Sequence, residues 1–213
     1  MKLKNKYIRL DPNRRLYKLE IPVIGLTGGI ASGKSTVSQI LREKGLAIVD
    51  ADRLVKEIYA QPETIEFIKN GFPDVIKDGV IQFPLLRQKV FSDRVVKETV
   101  ENFIYQRLVP KFKNAFEKFT NPKLLIYDIP LLFEKNMEGF FDITVLVYAP
   151  QKVQVERLIK RDAHSEEMAS NILDQQMNIE DKKLKAEFII DNSGSQANLT
   201  GEVDNLLRQI LEN

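Results

Sequence analysis

The segment that most constrains this chain is Gly28-Gly29-Ile30-Ala31-Ser32-Gly33-Lys34-Ser35, which fits the pattern G-x-x-x-x-G-K-[ST]. A loop that wraps phosphate must turn several backbone N–H groups inward, through dihedrals that glycine adopts most readily. Lys34 supplies a mobile cation for the β- and γ-phosphates, and Ser35 offers a hydroxyl to magnesium. The pattern has this meaning only between a strand and a helix. Here an apolar run at 21–26 precedes it. Val37, Ile40 and Leu41 follow at helical spacing until Gly45 stops the helix. A helix beginning near Lys34 presents its positive end to the phosphates. The competing reading is a glycine-rich turn with no ligand.

Four further apolar runs follow, at 46–49, 124–127, 143–148 and 188–190. They are too continuous for half-exposed antiparallel strands and suit a parallel sheet buried on both faces. One helix starts near Gln151. A last one carries Leu199, Val203, Leu206 and Ile210 on one face. Strand–helix alternation of this kind predicts an α/β layer fold with right-handed crossovers. The connection from Asp52 to Lys123 is about seventy residues, against a usual 4–6. Rich in Phe, Lys and Arg, it reads as a helical insertion over the strand ends. The expected organisation is a basic extension (1–20), a core (21–52 and 124–213) and the insertion (53–123). The extension reads either as a solvated tail or as a hairpin, with 7–10 and 15–19 flanking Asp11-Pro12-Asn13.

Charge and composition narrow the partners. Lys and Arg total 32 and Asp and Glu 30, a balance of +2, which argues against a dedicated nucleic-acid binder. There are no cysteines, so disulfides and thiolate metal sites are excluded and a reducing cytoplasm is permitted. No apolar run reaches membrane-spanning length, and no apolar stretch follows the N-terminal lysines as a signal peptide requires. With 43% hydrophobic and 29% charged residues, a soluble cytoplasmic protein is expected, with no nucleic-acid or membrane partner and at most weak self-association.

Ligands of open parallel sheets bind beyond the carboxyl ends of the strands. There the sequence places Asp50 and Asp52 after the second run, Asp128 after the third, and Asp191 and Asn192 after the last. An aspartate so placed can take the proton of an attacking hydroxyl or hold magnesium. Asp52, further out from the strand, is the expected catalytic acid; Asp50 is the alternative, or a helix cap. Asp128 resembles a Walker B acid, or else a turn residue before Pro130. Arg157 and Arg161 share a helix face four residues apart, and a fork-shaped cation suits a transferring phosphoryl group. Residues 157–177 then read as a helix–turn–helix lid; the alternative is a solvated face paired with Glu156 and Asp162. His164, the one histidine, receives no role.

These motifs resemble the dephospho-CoA kinase family. The stretch from Gly25 through Thr36 is similar to the family's opening, and Val49-Asp50-Ala51-Asp52 follows at the family's distance. Ile129-Pro130-Leu131-Leu132-Phe133-Glu134 resembles its Pro-Leu-Leu-Phe-Glu signature. Gln154-Val155-Glu156-Arg157-Leu158 resembles its lid helix, and Ile190-Asp191-Asn192 its late strand. The resemblance implies a five-stranded parallel P-loop kinase core, a helical CoA-binding insertion and a lid. It implies ATP and magnesium as cofactors and the 3′-hydroxyl of dephospho-CoA as acceptor, near Asp52. Gly28, Gly29, Ile30, Ala31, Ser32, Gly33, Lys34, Ser35, Thr36 and Asn192 would bind nucleotide. Asp52, Lys34, Arg157 and Arg161 would carry catalysis, and Ser35, Asp52 and Asp128 would serve the metal. The chain departs from the family at Ala31, usually Gly, at Phe83, near an expected Arg, and at Tyr105-Gln106, where His-Pro is expected. A shikimate-kinase-like enzyme would want a later triple glycine, and a regulatory GTPase an Asn-Lys-x-Asp or Thr-Lys-x-Asp; neither pattern is present. A non-catalytic nucleotide-binding protein on the same fold is the remaining alternative.

Overall fold

The computed structural model describes residues 1–163, 165–194 and 196–212; His164 lies outside them. Residues 51–118 form one compact unit and the rest of the chain another.

The larger unit is built on a parallel sheet. Its strands are β1 (Val23–Gly28), β2 (Ala47–Asp50), β5 (Leu125–Asp128), β6 (Ile143–Tyr148) and β7 (Phe188–Asp191), in the order β2-β5-β1-β6-β7. All four pairings are parallel. The five apolar runs are these five strands; β6 keeps the bounds of its run, and the other four extend one or two residues further at their carboxyl ends. Gly28, Asp50, Asp128 and Asp191 still pair, because a backbone ladder does not require apolar side chains.

Alternation along each strand explains why both faces are covered. Ile24 and Leu26 of β1 and Ile143, Val145 and Val147 of β6 point to one side. They pack with Val37 and Leu41 of α1 (Lys34–Glu43) and with Leu199, Val203, Leu206 and Ile210 of α9 (Gln196–Ile210). Leu146 and Tyr148 point to the other side, against Ile179 of α8 (Ile179–Lys185). The helix face expected at the C-terminus is thus the one that is buried.

The first twenty residues form neither a hairpin nor a solvated tail. Leu3 joins the core and bridges to Leu211. Lys4 Nζ donates to the carbonyls of Arg208 and Gln209 at 2.7 and 2.9 Å, setting a cation at the negative end of α9. Arg15 is buried against fully buried Asp142, with Nε to Oδ2 at 2.8 Å. Asp142 also accepts the backbone N–H of Val23 at 2.8 Å and those of Arg9 and Leu10 at 3.1 Å. Lys4, Arg9 and Arg15 all donate to backbone carbonyls, and Arg15 also holds a buried carboxylate.

The smaller unit contains α2 (Ala51–Tyr59), α3 (Pro62–Gly71), α4 (Phe83–Ser92) and α5 (Arg94–Phe116). Its apolar centre includes Leu54, Ile58, Ile68, Leu86, Val100, Ile104 and Phe112. Between α3 and α4 lies a two-stranded hairpin of β3 (Ile76–Lys77) and β4 (Val80–Ile81). Asp78 and Gly79 turn it with φ of +52° and +76°, the conformation that two-residue hairpin loops need. Strands of two residues leave no periodicity to read.

Candidate active site

The loop between β1 and α1 is held on all sides by residues far away in sequence. Gly33, at the start of α1, has φ +93°, and a side chain there would collide with Asn192 Nδ2. That amide donates to the carbonyl of Ser32 at 2.8 Å. Arg157, on α6 (Gln151–Asp162), reaches the same carbonyl and that of Ala31 at 3.4 and 3.3 Å, and the carbonyl of Asn192 at 2.8 Å. A peptide whose carbonyl is held to one side turns its N–H to the other. The contacts on the Ser32 carbonyl therefore aim the N–H of Gly33. Ala31 adopts φ +58°, a left-handed conformation that accounts for glycine's usual presence at this position.

Lys34 opens α1, and its ammonium is ion-paired with Asp128 at the end of β5. The second Asp128 oxygen accepts the Ser38 hydroxyl at 2.5 Å. Asp128 is only 2% exposed. Beside it in register stands Asp50, the last residue of β2. Ser35 is exposed on the first turn of α1. Asp52 lies on the first turn of α2, in the smaller unit.

Helices α6 and α7 (Glu166–Leu173) pack through Leu158, Ala169 and Leu173 onto Ile30 and Ala31 of the loop. The two arginines part company here. Arg157 touches the phosphate loop. Arg161, on the last turn of α6, forks onto its neighbour Asp162 at 2.7 and 2.8 Å, and its side chain is 63% exposed.

Several residues that matter to this geometry were not read from the sequence. Ser38, one turn after Lys34, could have been found from that spacing. Gln154 is buried against Gly29, and its Nε2, like Ser32 Oγ, has no hydrogen-bond partner among the described residues. Both Gln154 and Gln176 border a cavity of about 110 Å³ beside Gly29 and Ile30. Lys182 is fully buried. Its ammonium meets Glu134 at 2.8 Å and the carbonyls of Pro130 and Gly28 at 3.0 and 3.4 Å. Burial pushes this lysine below its ordinary range, against the pull of Glu134, and nearby Lys34 adds to the depression. In the sequence Lys182 begins a run, Lys182-Lys183-Leu184-Lys185, that looks solvated.

Among the described residues no cluster of three or more His, Cys, Asp or Glu side chains is arranged to hold a metal. The donors present are hard oxygens, the Ser35 hydroxyl and the Asp128 carboxylate. They suit a magnesium ion that takes most of its ligands from phosphate and water. No helix is long and apolar enough to cross a membrane among the described residues.

The chain is similar to known proteins over most of its length. Residues 22–198 match the family model described as dephospho-CoA kinase. A dephospho-CoA kinase of Fusobacterium nucleatum subsp. nucleatum is 36% identical over 194 residues, covering 90% of this chain and 100% of that protein. A crystal structure of a Thermus thermophilus protein superposes with a TM-score of 0.80 at 31% identity, covering 90% of this chain and 99% of that one. The dephospho-CoA kinase of Campylobacter jejuni gives a TM-score of 0.60 at 27% identity, covering 88% and 96%.

Proposed function

The chain belongs to the dephospho-CoA kinase family and phosphorylates dephospho-CoA with ATP, and we propose that Lys34, Asp52 and Arg157 carry the transfer. In the transfer the ribose 3′-oxygen forms a bond to the γ-phosphorus, and the bond from that phosphorus to the departing ADP oxygen breaks. The hydroxyl proton goes to the Asp52 carboxylate. Lys34 and the loop from Gly28 to Thr36 bind the triphosphate. Ser35, with Asp128 or Asp52, would hold magnesium, which when bound offsets the charge of the phosphate oxygens.

The observation that carries this reading is the shared hold of Arg157 and Asn192 on the Ser32 carbonyl, 3.4 and 2.8 Å away. It aims the N–H of Gly33 away from those side chains and keeps a fork-shaped cation on the loop. Arg161 would have to exchange Asp162 for a phosphate oxygen before it could take part.

The acceptor is assigned to the insertion, which carries exposed Phe83, Arg87 and Tyr105. Aromatic faces suit adenine, and the cation suits pyrophosphate. We place the reaction in the cytoplasm, with ATP and dephospho-CoA the only obligatory partners and self-association at most weak.

The test compares Asp52→Asn with Asp50→Asn. Loss of transfer in the first, with ATP binding retained, is expected. An inactive Asp50→Asn beside an active Asp52→Asn reverses the assignment. Transfer to shikimate or to nucleoside monophosphates, and none to dephospho-CoA, overturns the acceptor.

A further inference from the structure

A fully buried lysine needs a reason. Taking an ammonium out of water costs several kcal/mol, and one carboxylate partner often fails to repay it. The three N–H donors of Lys182 have three partners: Glu134 Oε1, the Pro130 carbonyl and the Gly28 carbonyl. Two of these are backbone groups at the carboxyl ends of adjacent strands. Gly28 ends β1 and opens the phosphate loop; Pro130 follows Asp128 at the end of β5. The Thr27 hydroxyl donates to the same Pro130 carbonyl at 3.0 Å. Glu134 is tied in turn to the backbone N–H of Met177 at 3.2 Å, at the foot of the lid.

We propose that Lys182 is a positioning residue for the phosphate loop, holding the Gly28 carbonyl outward so that the next N–H, that of Gly29, faces the triphosphate. The lysine touches no substrate. It acts through the backbone, as the outer brace of a loop whose other end is braced by Asn192 and Arg157. An apolar side chain of equal length would fill the same space and leave the first carbonyl of the loop without a donor. The Gly28–Gly29 peptide would lose that restraint, and the loop one aimed N–H.

The proposal rests on the reading that this loop binds ATP, and the experiment separates the two. Lys182→Met leaves the part-buried Glu134 carboxylate without its cation, so it is expected to be unstable. The double variant Lys182→Met/Glu134→Gln removes both charges and keeps an amide oxygen for the Met177 N–H. Melting temperature and calorimetric titration with ATP and with dephospho-CoA are measured on the full chain for both, beside Lys34→Ala. In the double variant, melting near the wild type, ATP affinity weakened about tenfold or more, and unchanged dephospho-CoA affinity are expected. A folded double variant that binds ATP within about twofold of the wild type overturns the proposal. So does failure of both variants to fold at saturating ATP, which would assign the lysine to the fold alone. Undiminished ATP binding by Lys34→Ala would instead remove the phosphate-loop reading itself.

Discussion

The ammonium of Lys34 is ion-paired with the carboxylate of Asp128, and the other oxygen of that carboxylate holds Ser38 on the same helix. One buried aspartate at the end of β5 thus fixes where the loop lysine stands. Lys34→Ala should stay folded and lose activity by orders of magnitude, since the loop's mobile cation is gone. Asp128→Asn should lose activity too, because Lys34 loses its countercharge and one of the two oxygens that hold Lys34 and Ser38 becomes an NH2 that cannot accept. The check is ATP-dependent phosphorylation of dephospho-CoA by both variants. Near-normal turnover in Lys34→Ala would remove the phosphate-loop argument.

The two arginines of α6 should separate. Arg157 donates to three carbonyls, which a single ammonium cannot span. Arg157→Lys is expected to lower kcat/KM for ATP about tenfold or more, the scale of lost hydrogen bonds to a charged group. Arg161→Lys alters a largely exposed pair with Asp162 and should cost less. Equal losses from both substitutions would place Arg161 on the phosphates during turnover.

Breaking the clamp of the N-terminal segment should unfold it at a measurable cost. Asp142 accepts three backbone N–H groups besides the Arg15 guanidinium, and both side chains are buried. Asp142→Ala strands the guanidinium and is expected to destabilise by about 3–5 kcal/mol in denaturant unfolding. A change under about 1 kcal/mol would make these twenty residues the loose extension that their composition suggests.

Alkaline titration reports on α8. The Tyr148 hydroxyl donates to Glu180 Oε1 at 2.7 Å, and this bond to a carboxylate, with burial, pushes the phenol up to about 12. The folded state holds its proton more tightly than the unfolded chain does. The resulting stability is therefore fully present below the ordinary tyrosine value, near 10, and is lost as pH rises through about 12. Tyrosinate absorbance of the wild type should include a late step near pH 12 from Tyr148, above the rise that burial also gives Tyr59. Tyr148→Phe should remove that late step alone, and Glu180→Gln should bring it down. A wild type whose titration Tyr148→Phe leaves unchanged near pH 12 excludes the Glu180 bond.

What the sequence determined by itself was local: a strand, an anion-wrapping loop and a helix around Lys34, four more apolar runs, and acids at their ends. Each rests on the chemistry of a few neighbouring residues, and so do both ends of α1 and the start of α6. Tertiary structure decided which charges those elements employ. Asp128 holds Lys34, Arg157 braces the loop while Arg161 turns to Asp162, and Lys182 is buried behind Gly28 although it opens a run of lysines. Arg15 and Asp142 meet across 127 residues of chain. No periodicity signals such a pair, because burial of a charge depends on what distant segments bring against it. A lysine bound for solvent and one bound for the core have the same local sequence, and only the packed sheet and its crossovers distinguish them.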